Sequence, residues 1–166
     1  PAGTSGMQDT SQIRFYFYPI GATGVREVYA NTFLQNWNLF IPANTTPTFT
    51  AQYPSSGTLT LPISIFGSSP HAHKVNKNML IYAYRTSPAD TIPLTKVPNW
   101  DFEWQGLYIH TNLKHIPAGY KLYTRHLYDN TTNNPNNPSN PPQLVTSGTS
   151  TMDEMLFDGF QWMYYQ

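Results

Sequence analysis

The chain has 166 residues, no cysteine, only 11% charged residues and no net charge at pH 7 with histidine neutral. Its length suits one domain with a substantial core. The missing cysteines exclude disulfides, zinc–thiolate sites and blue-copper thiolate centres, and the sparse, balanced charge leaves no electrostatic footprint for nucleic acid or an anionic membrane.

Residues 1–12 are small and polar without periodicity, so a disordered arm or linker is expected there, with the ordered domain over residues 13–166. Residues 13–18 alternate Ile13, Phe15 and Phe17 with Arg14, Tyr16 and Tyr18, and Pro19 and Gly21 follow, which predicts a half-buried strand. Further strands are predicted over 26–34, 38–42 and 45–53, where β-branched and aromatic residues recur. Residues 59–66 alternate strictly, and a Gly67-Ser68-Ser69-Pro70 turn leads into His71-Ala72-His73.

Residues 79–84 and 92–97 read as a hairpin around a turn at 85–90. In 100–104, Trp100, Phe102 and Trp104 alternate with Asp101 and Glu103, so the aromatic side is expected to face the core. Strands over 108–114 and 120–128 flank a Pro117-Ala118-Gly119 turn, and 130–142 is a loop of Asn, Pro, Thr and Ser. The aromatic-rich end, 155–165, has strand or short-helix character, and pattern alone does not choose. Many short strands punctuated by turns predict an all-β single domain, an antiparallel β-sandwich of jelly-roll type.

Two imidazoles one residue apart in an extended segment share a face, with Cα atoms about 6.6 Å apart, which is a chelating geometry. His71 and His73 are therefore candidate metal ligands that need a third from elsewhere: carboxylate, another histidine, or thioether. His110, His115 and His126 read as surface or hydrogen-bonded histidines, and Met155 of Asp153-Glu154-Met155 is a candidate soft ligand that would favour copper. No G-x-S-x-G, H-E-x-x-H, phosphate-binding glycine loop or EF-hand loop occurs. Asp101 and Glu103 resemble a glycosidase carboxylate pair only superficially, being more simply a solvated face, and an aromatic platform for carbohydrate is the best non-metal alternative. Asn44-Thr45-Thr46 and Asn130-Thr131-Thr132 fit the glycosylation sequon.

Several ordered motifs together resemble the C-terminal domain of the copper type II, ascorbate-dependent monooxygenases, especially bacterial members. His71-Ala72-His73 with Lys77 is similar to the family's H-x-H-x-x-G-K segment, and Asp101-Phe102-Glu103-Trp104-Gln105 to its D-F-x-W-Q strand. Tyr128-Asp129-Asn130 with Asn134-Pro135 and Asn137-Pro138 is similar to its Y-D-N loop, Asp153-Glu154-Met155 to its D-E-M, and residues 38–42 to an upstream L-F-I-P-P segment. The resemblance implies a jelly roll holding one copper ion through His71, His73 and Met155, with Asp153 and Glu154 as neighbours that orient the ligands. It implies an oxygen-activating centre that hydroxylates a substrate C–H, with ascorbate as reductant and a separate electron-donating copper domain as partner.

The departures are also informative. Asn76 stands where the family has glycine, and Ser69 and Gly159 replace the arginine and tyrosine of the peptide-amidating branch, so peptide amidation is not expected. A non-catalytic copper-binding, adhesion or self-assembling module on the same fold is the alternative. No bilayer-spanning apolar run is present, and an extracellular, periplasmic or cell-surface location is expected, as a mature protein or as one domain of a longer polypeptide.

Overall fold

The computed structural model describes residue 6 and residues 10–165, and the arm expected over residues 1–12 falls for the most part outside them. Among the described residues the chain forms strands β1 (Tyr29–Gln35), β2 (Phe40–Ile41), β3 (Thr48–Tyr53), β4 (Ile63–Ser69) and β5 (Asn76–Thr86), then β6 (Ala89–Val97), β7 (Tyr108–Ile116), β8 (Lys121–Tyr128), β9 (Val145–Thr146) and β10 (Phe157–Tyr164). No helix forms among them. The choice left open at the C-terminal end thus falls to a strand, β10, which pairs with both β1 and β4.

One antiparallel sheet runs β1-β10-β4-β7, the other β3-β8-β5-β6, and β2 pairs with β9 in a small third ladder. Interleaving early and late strands in each sheet in this order is the topology of a jelly roll. Alternation of inward and outward residues is clearest in β8, where Leu122, Thr124, His126 and Tyr128 are buried while their neighbours are not, whereas central β4 is buried on both faces over Ile63, Ser64 and Ile65. The main core lies between the sheets, where Leu34, Ile65, Ile116 and Phe160 of the first meet Ile81, Ala83, Leu94 and Leu122 of the second.

Three sequence expectations fail. The turn expected over Gly67-Ser68-Ser69-Pro70 is absent, because Gly67, Ser68 and Ser69 continue β4 and pair with Gln161, Phe160 and Gly159 of β10. Residues 13–18 form no strand: Ile13, Phe15, Phe17 and Tyr18 are exposed. Their alternation describes a surface that needs a sheet edge, and neither sheet extends to them. Residues 100–104 do not align their aromatics on the core either. The Asp101 carboxylate accepts the Glu103 N–H at 3.0 Å, and the Trp104 N–H reaches the Asp101 carbonyl at 3.1 Å, so the segment turns. Trp100 is buried, Phe102 is half-buried and Trp104 is 73% exposed.

The Asn/Pro loop is folded back on polar contacts rather than apolar burial. Asn130 is fully buried, and its Nδ2 donates to the carbonyls of Ile41, Pro42 and Gln143 at 3.0, 3.2 and 2.7 Å. Asn137 Nδ2 donates in turn to Asn130 Oδ1 at 2.9 Å. Side-chain amides thus serve the backbone groups that no ladder serves here.

Candidate metal centre

His71 and His73 lie in the link between β4 and β5, not inside a strand. Ala72 is fully buried and packs with Met79, Val97 and Trp100, which anchors the link by its middle residue. The flanking imidazoles come together with ring centroids 5.2 Å apart and planes at 85°. The Trp100 indole N–H donates to the His73 carbonyl at 2.9 Å, and the Phe102 ring stands edge-on to the His73 ring at 5.9 Å.

Hydrogen bonds at Nδ1 decide what each imidazole can do. His71 Nδ1 meets Gln105 Oε1 at 2.5 Å, and Gln105 Nε2 donates to the Phe102 carbonyl at 2.8 Å, which turns its oxygen toward the histidine. His73 Nδ1 meets the Asp153 carbonyl at 3.1 Å. Both partners are acceptors, so each Nδ1 carries the proton and each Nε2 lone pair is free to bind a metal. Burial lowers the His73 imidazole below its ordinary value, against the raising pull of the Asp153 carbonyl, and keeps it neutral near pH 7.

The Asp153-Glu154-Met155 segment docks on this link. The Glu154 carboxylate is fully buried and accepts the backbone N–H of His73, that of Val75 at 3.0 Å and that of Met155 at 2.9 Å. Burial pushes its carboxyl up to about 7, opposed by the backbone N–H groups of Met155, His73, Val75 and Asn76. Two residues past Met155, the Phe157 N–H donates to the His71 carbonyl at 3.2 Å. The half-buried Met155 is therefore bracketed by contacts to both histidine residues. Asp153 contributes its backbone carbonyl rather than its carboxylate, which turns back to accept the Ser150 N–H at 3.2 Å. A side chain at Gly148 would collide with that carboxylate.

Beneath the link runs a buried polar chain. His126 Nε2 and Asp158 Oδ2 are 3.0 Å apart with both side chains fully buried, and Asp158 Oδ1 accepts the His71 N–H at 3.4 Å. The Tyr128 hydroxyl donates to the Met155 carbonyl at 2.9 Å and lies 3.4 Å from His126 Nδ1. His126, Asp158, Tyr128 and Gln105 were not anticipated as positioning residues. The available signal was a histidine on the apolar side of a predicted strand, two residues before the Y-D-N motif.

The other histidines do not join the pair. His110 Nε2 lies 3.3 Å from Ser68 Oγ, and the His115 ring meets that of Tyr165 at 3.9 Å with the planes tilted by 48°. Among the described residues no group of three His, Cys, Asp or Glu side chains converges as a metal site. Two imidazoles held at Nδ1 by acceptors and the methionine segment docked on their link are what remains, a donor set that fits copper better than zinc or iron.

The motifs of the sequence are in mutual contact. Lys77 pairs with Asp129 at 3.4 Å, Gln105 holds His71, Glu154 holds the His73 backbone, and Asn130 holds the 41–42 carbonyls. Asn76, at the family's glycine position, begins β5 and is not among the described residues with positive φ, so no glycine is required there. The other departures, Ser69 and Gly159, face each other as register partners between β4 and β10.

Gln105 is exposed, so replacing it with alanine should hardly change thermal stability. It should lower copper affinity by about 10–100-fold, since His71 then loses the acceptor that fixes its tautomer and ring angle. Competition titration with a copper chelator reads this directly.

A family model described as copper type II ascorbate-dependent monooxygenase, C-terminal domain, matches residues 28–166. No curated protein matches the chain.

Proposed function

Since the chain belongs to the family of copper type II ascorbate-dependent monooxygenase C-terminal domains, we propose that it binds one copper ion through Nε2 of His71, Nε2 of His73 and the thioether of Met155, and hydroxylates a substrate C–H bond. The observation that carries this reading is the engagement of both Nδ1 atoms by acceptors, which leaves both Nε2 atoms available beside the Met155 segment. When bound, the copper supplies activation of dioxygen, and ascorbate supplies the two electrons by which R–H and O2 become R–OH and water.

The chain's own part is to hold the ligands. Gln105 and the Asp153 carbonyl fix the imidazole tautomers, burial keeps His73 unprotonated, and Glu154 ties the methionine segment to the histidine link. The Tyr128 hydroxyl restrains the Met155 backbone from the core side. Beyond Ser69 and Gly159 lies an uncharged cavity of about 270 Å³ whose other lining residues are Ala30, Asn31, Thr32 and Gln161. That lining supports a substrate other than a carboxylate-terminated peptide. A separate electron-donating copper domain and an extracytoplasmic location complete the proposal.

Oxygen uptake by the copper-loaded protein with ascorbate is the functional test. Uptake above the substrate-free rate, coupled to a hydroxylated product, is expected for some member of a panel of uncharged C–H substrates. Folded, copper-loaded protein that shows no substrate-dependent uptake across the panel would favour the non-catalytic copper-binding module.

A further inference from the structure

The outer face of the sheet β3-β8-β5-β6 gathers charge of one sign. In β8 the inward residues are Leu122, Thr124, His126 and Tyr128, so Lys121, Tyr123 and Arg125 face outward. Their register partners Tyr84, Tyr82 and Leu80 in β5 share that face, as do Gln52 and Thr50 in β3 and Lys96 opposite Leu80 in β6. Lys96, Lys121 and Arg125 are thus the charged residues at the outward register positions of these strands, and no Asp or Glu stands among them. The chain as a whole has no net charge, so the zero balance conceals a local cationic face.

Half-buried tyrosines form its middle. The Tyr82 and Tyr123 rings are 5.0 Å apart, and Tyr84 stands edge-on to both, at 6.1 and 5.9 Å. The Tyr84 hydroxyl donates to Gln52 Oε1 at 3.1 Å, which ties β5 to β3 across β8. Mutual packing of this kind fixes the patch before any ligand arrives.

Where the patch meets the β5–β6 hairpin it opens into a cavity of about 230 Å³ lined by Tyr84, Arg85 and Lys121 and by the hydroxyl residues Thr58, Thr86 and Ser87. The Arg85 guanidinium lies over the Tyr120 ring at 5.1 Å, and its Nε–H has no acceptor among the described residues. Asp90, its register partner, does not pair with it: the Asp90 carboxylate accepts the Tyr120 hydroxyl and, at 2.8 Å, the Thr91 N–H. The ion pairs among the described residues are Lys77–Asp129 and His126–Asp158, so Arg85 and Lys121 line one cavity with neither charge matched.

Unpaired cations, hydroxyls and a rigid aromatic patch side by side suit one kind of ligand. An oxyanion fits between the cations, while the C–H face of a sugar ring packs on tyrosine and its hydroxyls meet the polar rim. We propose that this face binds an acidic saccharide, with a carboxylate or sulfate group in the Arg85–Lys121 cavity and the sugar rings along Tyr84, Tyr82 and Tyr123 toward Arg125. Lys121 and Arg125 are four residues apart on β8, about 13 Å, so a second acid group of an extended chain reaches Arg125. Nucleic acid is disfavoured, because so few cations make few phosphate contacts and rings packed on one another leave no gap for an inserted base. The His71–His73 link joins β5 at Asn76, about 33 Å along the strand from Thr86, so binding does not require copper.

Calorimetry with the copper-free full chain tests this against matched polymers, polygalacturonate with its methyl ester and dextran sulfate with dextran. Saturable binding is expected for at least one charged polymer, about tenfold or more tighter than for its uncharged mate, and the pair that responds tells carboxylate from sulfate. Lys121→Glu and Tyr123→Ser should each weaken it by about tenfold or more. Lys114→Glu, the same charge change on β7 of the other sheet, should leave it unchanged. Thermal melts report folding of each variant. No saturable binding to either charged polymer overturns the proposal, as does equal binding to charged and uncharged mates. Binding that survives either Lys121→Glu or Tyr123→Ser in a folded protein overturns the location. Tighter binding of oligothymidylate than of either charged polymer overturns the saccharide and assigns the face to nucleic acid.

Discussion

Replacing both His71 and His73 with alanine should lower copper affinity by about a thousandfold or more, because the site then retains no nitrogen donor and a lone thioether does not hold Cu(II). Each single replacement should cost less, since one imidazole and Met155 still meet the ion. The fold should persist in all three variants: the link is anchored by Ala72 in the Met79, Val97 and Trp100 cluster and by backbone bonds to Glu154, none of which uses an imidazole. Metal analysis after dialysis, with EPR of the Cu(II) form, measures the effect. Equal copper content and an unchanged EPR spectrum in the double variant would remove the histidine pair from the site.

Glu154→Ala should destabilise the copper-free protein by about 3–5 kcal/mol, the largest stability loss expected from a single residue near the site. One oxygen of this buried carboxylate accepts the N–H groups of His73 and Met155, and the other accepts that of Val75. Truncation leaves those donors buried without acceptors, at about 1–3 kcal/mol apiece. For a chain of this size the melting temperature should fall by about 10 °C or more. Glu154→Gln should cost less, since it keeps one acceptor and sets an NH2 against the donors of the other side. Copper affinity should fall in both variants, because the same carboxylate fixes the spacing between the histidine link and the methionine segment. Thermal melts of the copper-free forms, compared with chelator competition on the loaded forms, separate the two effects.

Strand alternation made most of the sandwich legible. Residues 26–34, 45–53, 79–84 and 120–128 each contain the greater part of an observed strand, because each packs one face on the core and the period of two is then imposed on the sequence. The same rule misread two segments for opposite reasons. Residues 13–18 carry the pattern without a partner edge in the domain, whereas at 100–104 the Asp101 carboxylate bends the chain locally and splits Trp100 from Trp104.

At the site, the adjacent donors were visible because H-x-H spacing is local. Their supports were not, because each comes from a different part of the chain: Gln105 from the turn before β7, Glu154 from the segment before β10, and the buried His126–Asp158 pair from β8 and β10. Sequence shows that His126 exists, but only the packing of the sheets reveals that it is sealed from water against a carboxylate. Asp153 illustrates the converse: its backbone carbonyl meets His73 Nδ1, while its carboxylate turns back to the Ser150 N–H.

The central claim is the pairing of His71 and His73 with the sulfur of Met155. X-ray absorption of the copper-loaded, ascorbate-reduced protein tests it most directly, since a thioether prefers Cu(I) and is distinguished from nitrogen in the first shell. The account predicts imidazole and one sulfur scatterer in the native chain, with the sulfur lost and Cu(I) affinity reduced far more than Cu(II) affinity in Met155→Ala. A first shell of nitrogen and oxygen alone in the native chain, or a sulfur that persists in Met155→Ala, would contradict it.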